Sequence, residues 1–76
     1  MLDISTAKLV KKAIDDHFKK EVLSLESVCR MQPIEVNTRS DGYTILAIQH
    51  GDLTIMVWIQ IGDVGTIVRA VKTQAW

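Results

Sequence analysis

The chain has 76 residues, and its nine basic residues balance its nine acidic ones. A domain of this size buries only about 60% of the surface that its unfolded chain exposes, so small domains often depend on disulfides, a metal or oligomerisation. Cys29 is the only cysteine, which excludes a disulfide within the chain, and together with His17 and His50 it provides too few ligands for a structural zinc site. We therefore expect a single domain spanning 1–76, with no metal and no cofactor. We expect it to be stabilised as a homo-oligomer, with a dimer favoured, or by a protein partner.

The net charge and the hydropathy of the chain also restrict its expected cellular location and the class of its partner. A neutral chain is a poor candidate for nucleic-acid binding, which depends on basic surface. The apolar runs are interrupted well before the roughly 18 residues of a membrane-spanning helix, so no contact with a membrane is expected. The segment Met-Leu-Asp-Ile-Ser at the N-terminus lacks a basic stretch followed by an apolar run. We therefore expect no signal peptide, and the single cysteine favours a cytoplasmic setting.

Residues 5–31 show the period of one amphipathic helix. Ser5 is a favourable N-cap, Ile4 is placed to pack on Leu9 as a hydrophobic staple, and Pro33 stops the helix. Steps of three and four residues generate an apolar stripe that contains Ala7, Val10, Ile14, Phe18, Val22, Leu25 and Cys29.

Beyond Pro33 the period changes to two, which predicts strands separated by glycine-containing turns. The predicted strands lie at about 34–39, 43–50, 53–61 and 66–73. The simplest topology is an α+β fold in which one N-terminal amphipathic helix packs on a four-stranded antiparallel meander (α-β-β-β-β).

The strand predicted at 53–61 is apolar on both sides, although a strand with one buried face should alternate apolar with polar residues. One side is entirely apolar and carries Leu53, Ile55, Val57, Ile59 and Ile61. The other side carries Met56 and Trp58 between Thr54 and Gln60. This second side therefore needs a covering element, and a chain of 76 residues has few residues left to form one.

Turn geometry predicts which residues share a face. A two-residue turn at Gly51-Asp52 pairs Leu46 with Val57 and Ile45 with Trp58. We call the first face, which contains Leu46, Ile55, Val57 and Ile59, face A, and expect the helix to cover it. Face B is the opposite face and contains Ile45, Met56 and Trp58. A three-residue loop at 40–42 adds Ile34 and Val36 to face A, and the last turn adds Val68 and Ala70 to face A and Ile67, Arg69 and Val71 to face B.

Face B is the predicted interaction surface. Monomers seldom expose large apolar patches, and aromatic residues, Met and Arg inside a polar frame are typical of protein interfaces. We therefore expect a non-enzymatic interaction or regulatory module that self-associates or binds a protein partner. The predicted contact residues are Tyr43, Ile45, Met56, Trp58, Ile67, Arg69 and Val71. Pairing along an edge strand, 34–39 or 66–73, is a second route to assembly.

Three other interpretations of face B stay open. The helix can break near Ser24, where Ser24 and Ser27 are candidate caps, and its second half then covers face B. Tyr43 and Trp58 can stack on the bases of a single-stranded nucleic acid. A small-molecule pocket is the third interpretation. The basic residues available for nucleic-acid binding are Lys8, Lys12, Lys19, Arg39 and Arg69.

His17 and Glu21 are four residues apart inside the apolar stripe of the predicted helix, so the two side chains can pair. The functional interpretation is an acid/base pair or a polar contact with a partner. The alternative is that both tips reach water at the edge of the sheet. We favour the alternative, because the sequence places no nucleophile or second carboxylate beside them, and we expect no catalytic residue and no enzyme.

Overall fold

The computed structural model describes residues 2–36 and 43–75. Within them the chain forms α1 (Ile4–Phe18), α2 (Leu25–Cys29), β1 (Gln32–Val36), β2 (Tyr43–His50), β3 (Leu53–Gly62) and β4 (Gly65–Ala75). The strands form one antiparallel sheet in the order β1-β2-β3-β4. The predicted α+β meander is confirmed, whereas the predicted three-residue loop at 40–42 and the strand residues 37–39 lie outside the described residues.

The prediction of one continuous helix over 5–31 is wrong, because the chain leaves helical geometry at Lys19. This residue has φ 59° and ψ 31°, the left-handed conformation, at the end of α1. Left-handed geometry costs a residue with a side chain roughly 1–2 kcal/mol, and glycine is the usual residue there. The second helix begins after Ser24, whose Oγ accepts a hydrogen bond from the Ser27 backbone N–H at 3.1 Å. The alternative of a break near Ser24 with a serine-capped second helix is therefore confirmed, although α1 already ends at Phe18.

Lys11 connects α1 to the segment that follows the break. Its Nζ donates to Asp15 Oδ2 at 3.0 Å and to the Leu23 carbonyl oxygen at 2.9 Å, and it lies 3.8 Å from Glu21 Oε1. The Lys11 side chain is only 22% exposed, so water screens these contacts less than it screens an exposed ion pair. Lys11 thus helps to offset the cost of the left-handed residue.

The start of α1 also differs from the prediction. The helix begins at Ile4 with Asp3 as its N-cap, so Ser5 lies inside the first turn. Ile4 and Leu9 are both exposed and do not form the predicted staple, because Ile4 belongs to the helix itself. The first turn instead lies against the sheet, where Thr6 Oγ1 is 3.4 Å from Thr66 Oγ1.

Both helices and face A enclose a single hydrophobic core. The fully buried Val28 of α2 belongs to the same cluster as Ile14 of α1 and Val57 of β3. The second half of the predicted helix therefore covers face A, and the interpretation in which it covers face B is wrong. The buried members of the core are Ala7, Val10, Ile14, Leu23, Val28, Met31, Leu46, Ile55, Val57 and Ile59.

The central hairpin has the predicted register. Leu46 pairs with Val57 and Ile45 pairs with Trp58 across a tight turn in which Gly51 has φ 60°. Because directly opposed residues lie on the same side of a sheet, this pairing places Trp58 on face B.

Strand β1 starts earlier than predicted and contains an irregularity. It includes Pro33, which pairs with Leu46, and a proline is tolerated here because β1 is an edge strand. The register shifts between Pro33 and Glu35, so Ile34 is the extra residue of a bulge. Ile34 is 56% exposed, and its predicted place in the core is wrong. Val36 pairs with Thr44.

Strand β4 contains a second bulge. Ile59 pairs with Val68, whereas the preceding residue, Trp58, pairs with Ala70. Arg69 is therefore an extra residue, which shifts the alternation of the strand beyond it.

The bulge exchanges the predicted faces of Ala70 and Val71. Ala70 is opposite Trp58 on face B, and Val71 is opposite Val57 on face A, where it packs against the core. We expected the reverse, because strict alternation along β4 does not allow for an inserted residue. Val71 is accordingly removed from the predicted interaction surface.

The helix break predicts that glycine substitutions at two lysines change the free energy of unfolding by different amounts. Lys12→Gly in the middle of α1 should lower the free energy of unfolding by about 1 kcal/mol. Lys19→Gly should leave it nearly unchanged or raise it, because glycine adopts the left-handed conformation without a steric penalty. Urea unfolding measures both values. An equal loss in the two variants would indicate a continuous helix.

The bulge in β4 predicts that serine substitutions at two of its residues lower the free energy of unfolding by different amounts. Val71→Ser should lower the free energy of unfolding by about 2 kcal/mol, because it removes methyl groups from the core and brings in a hydroxyl. Ile67→Ser should cost less than half as much, since Ile67 is 40% exposed on face B. Thermal unfolding gives the comparison. Similar losses would place both residues on one face, as strict alternation requires.

Candidate functional site

Face B is the side of the sheet on which neither α1 nor α2 packs. Its apolar residues are half-buried except Ile67, which is exposed, and none of them belongs to the core cluster. The central row runs across all four strands, from Glu35 through Ile45 and Trp58 to Ala70. Its described apolar members are Tyr43, Ile45, Ala47, Met56, Trp58, Ile67 and Ala70.

Trp58 lies at the centre of face B, and a lysine reaches over it. The Nζ of Lys72 is 5.0 Å from the centroid of the Trp58 ring, a distance typical of a cation–π contact. Lys72 occupies the next row, opposite Met56, and the residue beside Trp58 on β4 is the small Ala70. The small neighbour leaves room for the lysine to approach the ring.

Arg69 is held over the same face on the other side of Trp58. Its Nε and Nη2 both donate to Oε1 of Gln60, at 2.9 Å and 2.7 Å. Gln60 lies in the row beyond Trp58, opposite Ile67. The bulge thus directs the guanidinium onto face B, as predicted for Arg69.

A polar pair lies at the opposite end of the surface. The Thr54 hydroxyl donates to Gln49 Oε1 at 2.9 Å, and Gln49 Nε2 donates to the Gly51 carbonyl oxygen at 2.8 Å. These two residues oppose each other across the central hairpin. With Gln60 and Arg69 at the other end, they form a polar frame around the aromatic centre.

Face B carries charged residues at two of its strands. Arg69 and Lys72 on β4 are basic, and Glu35 on β1 is acidic and pairs with Ile45 of this face. The other described charged residues lie in the helices, the connections and the turns, where acidic and basic residues mix. Face B therefore combines an apolar centre with a positive margin along β4.

His17 and Glu21 do not form the predicted pair. The helix ends at Phe18, so Glu21 lies outside it and approaches Lys11 instead. His17 makes an edge-to-face contact with the adjacent Phe18 ring, with a centroid distance of 5.1 Å. Both His17 and Glu21 are exposed to solvent, and they belong to no common site.

The residues of the nucleic-acid interpretation are divided between two sides of the sheet. Lys8, Lys12 and Lys19 are exposed on α1 and at its end, on the side of face A. Tyr43 and Trp58 lie on face B with Arg69, while Arg39 lies outside the described residues. The structure does not bring the helix lysines and the sheet aromatics together.

Two other classes of site are a metal centre and a membrane-spanning helix. Within residues 2–36 and 43–75, no three His, Cys, Asp or Glu side chains are grouped closely enough to hold a metal ion. No described helix has the length and hydrophobicity needed to span a membrane.

The contact between Lys72 and Trp58 predicts a measurable coupling. A double-mutant cycle with Lys72→Gln and Trp58→Leu should give a coupling energy of about 0.5–1 kcal/mol in urea unfolding. The matched cycle with Lys8→Gln should give none, because Lys8 lies on α1. Zero coupling in the first cycle would show that the lysine does not stabilise the ring in solution.

The chain matches no protein-family model, and no curated protein sequence or solved structure is significantly similar to it. The geometry and chemistry of face B are therefore the basis for assigning a function.

Proposed function

We propose that this protein is a non-enzymatic interaction module that buries face B against a protein, either a second copy of the chain or a different polypeptide. The observation that carries the proposal is the one-sided fold. Both helices pack on face A, while an aromatic and aliphatic surface centred on Trp58 has no cover among the described residues. Apolar surfaces with a polar frame are characteristic of protein-binding sites.

In this proposal Trp58 is the anchor of the interface. Tryptophan at the centre of an interface often contributes a large share of the binding energy, provided that its surroundings exclude water. Ile45 and Met56 extend the apolar area around it, and the Gln49–Thr54 and Gln60–Arg69 pairs mark its two ends. These polar pairs provide fixed hydrogen-bonding groups that orient the bound surface.

The proposed setting is a reducing compartment, in line with the single free cysteine. Cys29 packs against the core from α2, where it acts as a small apolar residue. We place the regulatory or accessory role of the module in the cytoplasm on this basis.

The first experiment compares the absolute mass of three variants by light scattering at several protein concentrations. If face B mediates self-association, wild type forms a dimer or larger assembly and Trp58→Glu shifts it to the monomer. Val64→Glu is the matched control, because Val64 is 90% exposed in the turn between β3 and β4. Ile67→Glu repeats the test at a more exposed position of face B if Trp58→Glu does not fold.

If the wild type is monomeric, self-association is excluded, and the proposed partner is a different polypeptide. A photo-crosslinking amino acid at Ile45 should then capture a specific protein in the native host, whereas the same group at Val64 should not. A folded Trp58→Glu variant with unchanged mass and unchanged crosslinking would remove face B from the proposal.

A further inference from the structure

The connection between α1 and α2, residues 19–24, lacks the residues that normally end a helix. Lys19 adopts the left-handed conformation, and the Lys20 backbone N–H donates to the Asp15 carbonyl oxygen at 3.2 Å. This is the geometry of a Schellman motif, in which glycine usually occupies the left-handed position and an apolar contact often follows it. Here both positions are lysine. The local sequence therefore does not specify the bend.

The same connection is compatible with a helix. The segment Lys-Lys-Glu-Val-Leu-Ser contains neither glycine nor proline, and most of its residues have favourable helix propensities. The apolar stripe also continues at helical spacing from Phe18 through Val22 to Leu25. Contacts between distant residues hold the bend instead. Lys11 donates to the Leu23 carbonyl oxygen at 2.9 Å, and the Leu23 side chain is buried in the core.

Local preference and tertiary contacts therefore disagree at this connection. A straight helix from Ile4 to Cys29 would be about 39 Å long, which exceeds the longest dimension of the molecule, 33 Å. In that state α1 lies beyond its own sheet, and face A loses the buried residues Ala7, Val10 and Ile14. A second copy of the chain restores this burial when each α1 packs on face A of the other copy.

We propose that two copies of this chain exchange their α1 helices, with residues 19–24 straightened as the hinge. The contacts between α1 and the sheet are then the same as in the single chain, but they join different copies. Lys19 no longer needs the left-handed conformation, so the local preference and the tertiary contacts agree. This inference concerns α1 and face A, and it is independent of the use proposed for face B.

The exchange also has a cost, so it depends on protein concentration. In a straight helix Leu23 lies on the side opposite to the apolar stripe, and it leaves its position in the core. Lys11 keeps its bond to Asp15 but loses the bond to the Leu23 carbonyl, which then belongs to the helix backbone. These losses and the reduced translational freedom favour the single chain at low concentration. Mass action favours the exchanged pair at high concentration.

The contact between Thr6 and Thr66 distinguishes exchange from other assemblies. The two Oγ1 atoms are 3.4 Å apart, so cysteines at these positions can form a disulfide after a small adjustment. The triple variant Thr6→Cys, Thr66→Cys, Cys29→Ala is refolded from urea under reducing conditions at about 1 mM, separated by size and then oxidised. We expect a dimer fraction whose chains stay linked in a non-reducing denaturing gel. An assembly through face B would give single chains on this gel, because each disulfide then forms within one chain.

Two controls accompany this experiment. The triple variant refolded at about 10 µM should give single chains with an internal disulfide, because dilution favours the unexchanged state. The variant with Thr66→Cys and Cys29→Ala alone controls for linkage between exposed thiols and should give single chains at both concentrations. Circular dichroism confirms that each variant is folded.

Substitutions in α1 and at the hinge test the cause of the exchange. Lys19→Gly relieves the bend and weakens the straight helix, so it should lower the association constant derived from the linked fraction at least tenfold. Lys12→Gly is the matched control and should change this constant by less than about twofold, because position 12 is helical in both states. Lys11→Met removes the bond to the Leu23 carbonyl and should raise the constant. Light scattering of these variants without the cysteine pair gives the comparison independently of the disulfide.

Two results would overturn the inference. One is the absence of a dimer linked through the cysteine pair at about 1 mM. The other is an association constant that is the same in Lys19→Gly and Lys12→Gly. Trp58→Glu should leave the linked fraction unchanged, whereas it disrupts an assembly through face B. A linked dimer that persists in Trp58→Glu therefore supports the exchange even if the function proposed for face B fails.

Discussion

A four-stranded sheet has two faces, and the helices of this chain cover one of them. The 15 residues of α1 span about 22 Å, roughly the length of one strand, and α2 adds only five residues. Both are directed to the same side, because the apolar residues of the two helices and of face A form one cluster. A divided arrangement, with one helix on each face, would leave two thin cores in place of one continuous core. Trp58 on face B is only half-buried because both helices pack on face A.

The break at Lys19 is what allows two short helical segments to share one face. A straight helix over 5–31 would extend about 40 Å and pass beyond the sheet, whereas the folded-back connection returns Leu23 and Val28 to the core. The chain adopts a left-handed residue at this point and compensates with the contacts of Lys11 to Asp15 and Leu23. A half-buried basic residue thus has a structural role in this fold.

The sequence predicts the central hairpin better than it predicts the ends of the sheet. The register of β2 and β3 depends on a two-residue turn and on strict alternation, and both are visible at Gly51-Asp52 and in 53–61. The positions of Trp58 and Met56 on face B follow from the same two signals. The fold class follows from the change of period after Pro33. These features are local, so tertiary packing had little opportunity to alter them.

The helix break and the two bulges could not be predicted from the turns and the alternation of the sequence. The apolar stripe continues through Val22, Leu25 and Cys29 at helical spacing, and no glycine or proline marks the left-handed residue, so periodicity alone joins two helices into one. Bulges are similarly invisible, because an inserted residue such as Arg69 leaves the composition of the strand unchanged. The errors at Ile34, Ala70 and Val71 share this origin. The residue that sequence analysis missed on face B, Lys72, lies beyond the bulge for the same reason.

Because of the bulge, the residues of β4 before Arg69 and those after it alternate between the two faces of the sheet in opposite phase. Loss of Arg69 alone would restore regular pairing and leave every other residue of β4 on its present face, at the cost of one positive charge. Loss of a residue from the segment 71–75 would move the residues beyond it by one position, which exchanges the two faces of the strand there. The loss of one residue from this strand is therefore tolerated at the bulge and disruptive beyond it. Related chains that differ in length by one residue here can be expected to differ at the bulge.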